Sequence, residues 1–134
     1  MTSASHRPSM QTTRSTDANI VTAPDGSIIR ELVATARGSI VHCTLPPGAT
    51  SLAVAHRTVE EVWYVISGQG QVWRQSDGDE SVADVEAGVS LSIDTGVRFQ
   101  FRNVGEEDLC IVITTMPPWS GADEAYRVED HWPM

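Results

Sequence analysis

The chain has 134 residues, 40% of them hydrophobic, and a formal net charge of −9. That length suits one domain with a single core, and so acidic a balance argues against nucleic acid or an anionic membrane as partner, because both need a basic face. All nine basic residues are Arg, so lysine Schiff-base chemistry and a P-loop are excluded.

Residues 1–17 hold Ser, Thr and two Arg with no acid before Asp17. They read as a disordered leader, with Met10 as another candidate start and His6 too remote to serve a site. The stretch lacks the apolar core of a secretory signal. No apolar run reaches the length of about eighteen residues that marks a membrane span. The expectation is a cytoplasmic protein.

From residue 18 to 116 the sequence is a series of short apolar runs cut by turn residues. Asp25-Gly26 between IVTA and SIIREL predicts a tight hairpin turn with positive φ. Strands are predicted over 39–45, 61–66, 71–75, 82–85, 89–93, 97–102 and 109–115, with Asp77-Gly78-Asp79 as a further turn. Many short strands rich in Val, Ile and aromatics predict an all-β antiparallel sandwich or barrel. Cys43 and Cys110 show no CxxC or zinc-ligand spacing. They read as small buried hydrophobes in a reducing cytoplasm, with a disulfide between them left open.

Residues 117–134 differ, with three Pro and two Trp. Within them 120–126 reads as a short helix, capped by Ser120 and favoured by Asp123 and Glu124 in its first turn. Trp119 and Trp132 would anchor this tail on the barrel wall or on a second subunit, and a lid over the barrel mouth is the alternative reading of the tail.

Two spaced patterns carry the chemistry. The first is Gly48, five residues, Val54, one residue, His56, four residues, Glu61, six residues, Gly68. The second is Gly88, five residues, Asp94, one residue, Gly96, two residues, Phe99, three residues, Asn103. Together with the text AHRTVEEVWYVISGQG, they resemble the two motifs of the cupin superfamily, and of its small single-domain members in particular. The resemblance implies a double-stranded β-helix (cupin or jelly-roll barrel) with a short Pro/Trp-rich tail, and a homodimer whose partner covers strand edges. In cupins three histidines and a glutamate bind a metal. Here His56 and Glu61 hold two of those positions, while Val54 and Phe99 stand where histidines would be.

If Glu61 points into the barrel, as the resemblance implies, Trp63 and Val65 share its face, as Val54 shares that of His56 and Phe101 that of Phe99. The expected pocket takes a small organic molecule between Val54, Trp63, Phe99 and Phe101. Three readings stay open. In the first, His56 and Glu61 are a catalytic acid/base pair doing isomerase, cyclase or lyase chemistry, the carboxylate raising the basicity of the imidazole while the apolar pocket raises the pKa of Glu61. In the second, the cofactor is a divalent transition metal (iron, manganese, nickel or zinc) bound by His56, Glu61 and a third ligand, for which His42 is the best candidate, supporting a dioxygenase or metal-assisted lyase. In the third, the barrel only binds its ligand, with no cofactor and His56 and Glu61 satisfying each other. Glu60 should face away. Alternation turns Arg57, Arg98 and Arg102 outward and leaves Arg74 undecided.

Overall fold

Eleven strands run through residues 9–133, the residues that the computed structural model describes. One antiparallel sheet has the order β1 (Asn19–Thr22), β2 (Ile28–Ala34), β3 (Ser39–Leu45), β10 (Leu109–Met116), β5 (Glu60–Ser67), β8 (Ser90–Ile93). The other has the order β11 (Ala125–Arg127), β4 (Val54–His56), β9 (Arg98–Asn103), β6 (Gln69–Ser76), β7 (Asp79–Glu86). Each predicted strand is present, with either end moved by three residues or fewer.

The pleat decides what is inside. Along β5 burial alternates strictly: Glu61, Trp63 and Val65 are buried, while Glu60, Val62, Tyr64 and Ile66 are exposed. Along β10, Leu109, Ile111, Ile113 and Thr115 are buried in the same rhythm. These side chains meet Val72, Phe99 and Phe101 from the second sheet to form one core.

On β9 the alternation fails. Phe99, Gln100 and Phe101 are all buried, because the tail covers the outer face of that sheet. The Gln100 amide is satisfied there, accepting from the backbone N–H groups of His131 (2.9 Å) and Trp132 (2.8 Å) and donating to the carbonyls of Ser51 (2.9 Å) and Trp132 (3.0 Å). Trp132 lies under the Arg102 guanidinium, 4.3 Å from ring centroid to Cζ.

The turns carry out what their residues permit. Gly26 has φ 93° and donates to the Ala23 carbonyl, closing the β1–β2 hairpin. Asn103 ties down the loop before β10, donating to the carbonyls of Leu45 and Glu107 and accepting from Gly105 N–H. A Cβ at Gly68 would fall 2.7 Å from Leu109 Cα, so glycine is needed for that close approach.

One expectation is corrected, and one that was left open is decided. The short helix over 120–126 is a 3-10 turn, Ala122–Glu124, that runs directly into β11, and Gly121 rather than Ser120 precedes it without a side-chain cap. β11 pairs with β4, so strand pairing outweighs the helical preference of the segment. Cys43 and Cys110 are both free. Cys43 pairs with Ile111 and Cys110 with Thr44, which puts the two sulfurs on opposite faces of the sheet. Of the leader expected over 1–17, residues 1–8, His6 among them, lie outside the described residues. Further along, Ser15–Asp17 form a 3-10 turn, and the Gln11 side chain accepts from Ala34 N–H at 3.2 Å.

Candidate active site in the barrel

Between the sheets lies a cavity of about 560 Å³. β4 and β5 bring His56, Glu61 and Trp63 to its wall, and β9 adds Phe99. Val54 and Phe99 are cross-strand partners, so the two positions where the resemblance places histidines form one apolar patch. Phe101 is corrected. It is fully buried behind Trp63, ring centroids 5.2 Å apart, and supports the wall without lining the cavity.

Glu61 is only 6% exposed. Trp63 Nε1–H donates to Glu61 Oε1 at 2.9 Å. Burial pushes the Glu61 carboxyl up to about 7, against the hydrogen bond from Trp63, and the charges of Asp25 and Glu124 add to the rise. Glu61 therefore exchanges its proton near neutral pH.

His56 behaves in the opposite way to the expected pair. Its ring is held edge-on between Phe99 (centroids 5.2 Å) and Trp119 (5.4 Å), and its Nδ1 is buried without a partner among the described residues. Burial lowers its pKa to about 4, with Glu124 opposing only in part. No hydrogen bond joins His56 to Glu61, whose recorded bond is to Trp63. The imidazole is neutral at pH 7, and its basicity is reduced rather than raised.

His42 is corrected as a ligand. Cys43, its neighbour on β3, is fully buried in the core, so His42 lies on the outer face, paired with Val112 and Arg30. The donor set is thus short of a metal site: among the described residues no three His, Cys, Asp or Glu side chains come together to hold an ion. With Val54 and Phe99 in the other two positions, these residues do not fit a resident transition metal.

Three contributors were not singled out as site residues by the sequence. Asp25, from the β1–β2 turn, lines the cavity, and Ser27 donates to its Oδ1 through both N–H (2.9 Å) and Oγ–H (2.6 Å). Burial raises its carboxyl pKa, with those hydrogen bonds opposing. Trp119 of the tail closes over His56. Glu124 stands behind, accepting from Thr58 N–H (2.7 Å), Thr58 Oγ1–H (2.6 Å) and Val59 N–H (2.8 Å). Burial works against its ionisation, but those three donors prevail and hold the carboxyl below the usual range. The Asp-Gly signal pointed to a turn, and nothing in its spacing shows that the carboxylate turns back into the barrel.

Among the described residues, no arginine lines the cavity. Arg57 donates to the Asp123 carbonyl and stacks over Tyr126, Arg102 donates to Gln71, and Arg74 donates to the Ser92 carbonyl.

The family model described as "Cupin domain" matches residues 41–115. An uncharacterized protein of Methanocaldococcus jannaschii is 30% identical over 104 residues, covering 74% of this chain and 80% of that protein. Among solved structures, Pac13 of Streptomyces, a nucleoside dehydratase, superposes with a TM-score of 0.71 at 13% identity, covering 90% of this chain and 92% of that one. CapF of Staphylococcus aureus, a capsular polysaccharide assembling protein, gives a TM-score of 0.70 at 21% identity over 87% of this chain, which spans only 37% of CapF. A Klebsiella pneumoniae protein with a double-stranded β-helix domain gives 0.62 at 21% identity, covering 78% and 85% of the two chains.

Proposed function

Because the chain belongs to the cupin domain family, we propose that it is a small-molecule enzyme of isomerase or lyase type in which Glu61 moves a proton inside the barrel. The observation that carries this reading is Glu61 itself: it is buried in the cavity wall, has one recorded hydrogen bond, and is raised to about 7. A general base works best with a pKa near the working pH. His56, neutral and lining the same cavity, donates a hydrogen bond to the oxygen on which negative charge develops, a task for which a low-pKa imidazole is suited. Ionised Glu61 takes a proton from the carbon next to a carbonyl, so the C–H bond breaks and the carboxyl O–H forms. The same proton then returns to another carbon in an isomerisation, or to a departing hydroxyl in an elimination. Dehydration by Pac13 on a similar barrel supports elimination as one of the two outcomes.

The test is deuterium exchange. Wild-type protein incubated in D₂O with a panel of aromatic ketones and aldehydes should place deuterium next to the carbonyl. Glu61→Gln should slow this at least about a hundredfold. No exchange above buffer, or equal exchange by the variant, would refute the proposal.

The working unit we infer is a homodimer in a reducing cytoplasm. Val62, Tyr64 and Ile66 stand 48%, 50% and 42% exposed on the outer face of β5. Val112, Thr114 and His42 extend the same face across β10 and β3, with charge only at its margins in Glu60 and Arg30. A second copy presenting this face satisfies a two-fold contact. The free cysteines support the compartment.

A further inference from the structure

Among the described residues the cavity is lined by three carboxyl-bearing side chains, Asp25, Glu31 and Glu61, and by no arginine, in a chain that has no lysine. Its histidine is neutral. Asp25 Oδ1 is taken by Ser27, and among the described residues no other side chain or backbone N–H of another residue donates to its Oδ2. Glu61 Oε1 is taken by Trp63, and among the described residues none donates to Oε2. The charge of Asp25 reaches Glu61 and adds to the rise of its carboxyl pKa. Around them stand the aromatic rings of Trp63, Phe99 and Trp119.

Such a pocket discriminates by charge. A carboxylate or phosphate ligand would add a further negative charge to a low-dielectric space with no cation to meet it. An ammonium group would relieve the repulsion between the two acids, donate to their free oxygens and rest against aromatic faces. We propose that the pocket selects an organic cation, an ammonium group on an aromatic or apolar body, and that Asp25 is the residue that sets this selection together with Glu61. This rests on the barrel cavity being the substrate site, and it names the class of substrate that the site takes.

The experiment compares three probes of one shape: benzylammonium, benzyl alcohol and benzoate. Each is titrated at pH 7.5 while the indole N–H resonance of Trp63 is followed. Benzylammonium should saturate with about tenfold tighter binding than benzyl alcohol, as one charge-assisted contact warrants, and benzoate should not saturate. Asp25→Asn keeps the acceptor for Ser27 and should reduce the ammonium-to-alcohol ratio about fivefold or more. Glu86→Gln, exposed at the end of β7 and outside the cavity lining, should change the ratio less than about twofold.

Benzoate binding as well as benzylammonium, no saturable benzylammonium binding, or an unchanged ratio in Asp25→Asn would each overturn the proposal. Should Asp25→Asn fail to fold, the wild-type ratio and its loss in Glu61→Gln decide. The readout is binding alone. Charge selection with undiminished deuterium exchange in Glu61→Gln would sink the proton-transfer reading and leave this one, and the reverse result would do the opposite.

Discussion

Glu61→Gln should make the protein more stable above neutral pH, by an amount that follows from the raised carboxyl. In the unfolded chain Glu61 loses its proton near its ordinary value of 4.5, whereas in the fold it keeps it to about 7. Below 4.5 both states are protonated, and the contribution of Glu61 is fully present. Between 4.5 and about 7 the folded state binds the extra proton, so stability falls as pH rises, at about 1.4 kcal/mol per pH unit. Above 7 the loss is complete, about 3 kcal/mol. Gln resembles the protonated acid in shape and charge and does not titrate. The variant should therefore match wild type at pH 4.5 and exceed it by about 3 kcal/mol at pH 8. Urea denaturation of both proteins at half-unit pH steps gives the difference curve, in which the other carboxylates cancel. A flat difference, or one in which the variant loses ground as pH rises, would refute the reasoning about Glu61.

His56 titrates with the opposite sign. Its folded pKa lies near 4 against 6.5 unfolded, so its contribution is present above 6.5 and lost as pH falls toward 4. His56→Gln should gain on wild type by about 3 kcal/mol between pH 6.5 and 4, while deuterium exchange at pH 7 falls about tenfold or more. Glu124→Ala leaves the N–H groups of Thr58 and Val59 without their acceptor. It should lose about 2 kcal/mol and speed amide exchange along β11; because the Glu124 pKa is depressed, wild type should lose this contribution as pH falls below 4.5. Tyr64→Asp should shift the mass measured by light scattering from two chains to one. A monomeric wild type would refute the inferred interface.

The barrel was legible because its signals are local and repeat. Glycine spacing, Asp-Gly turns and the period of two along EVWYVI each depend on neighbours within a few residues. Parity around Glu61 placed Trp63 correctly, and the same parity on β3 turns His42 out once Cys43 is known to face in. What could not be read depends on distant partners. The proton affinity of His56 follows from enclosure by Phe99 and Trp119, the latter 63 positions along the chain. The carboxylate of Asp25 reaches the cavity because the β1–β2 hairpin lies across its opening. The tail reads as a helix by local preference and becomes a strand because β4 offers it an open edge.

The absence of histidine at positions 54 and 99 and the behaviour of Glu61 go together. Val54 and Phe99 supply no donor that a metal needs, and the apolar cavity wall they share with Glu61 helps to desolvate its carboxylate. Restoring the donors should reverse both effects. A Val54→His, Phe99→His variant would set three imidazoles beside Glu61, a sufficient set for a divalent transition ion. Titration with Co²⁺ should then saturate at one ion per chain with a visible absorption band, and added metal should raise the melting temperature. Without metal, the variant should lose about 3 kcal/mol, because Phe99 gives up its packing against Trp63, 5.6 Å between centroids, and against His56. Wild type should show neither the band nor the metal-dependent gain. A folded double variant that binds no cobalt would mean that the wall at Val54 and Phe99 does not face Glu61 in the way a shared site requires, and the account of why Glu61 holds its proton would fall with it.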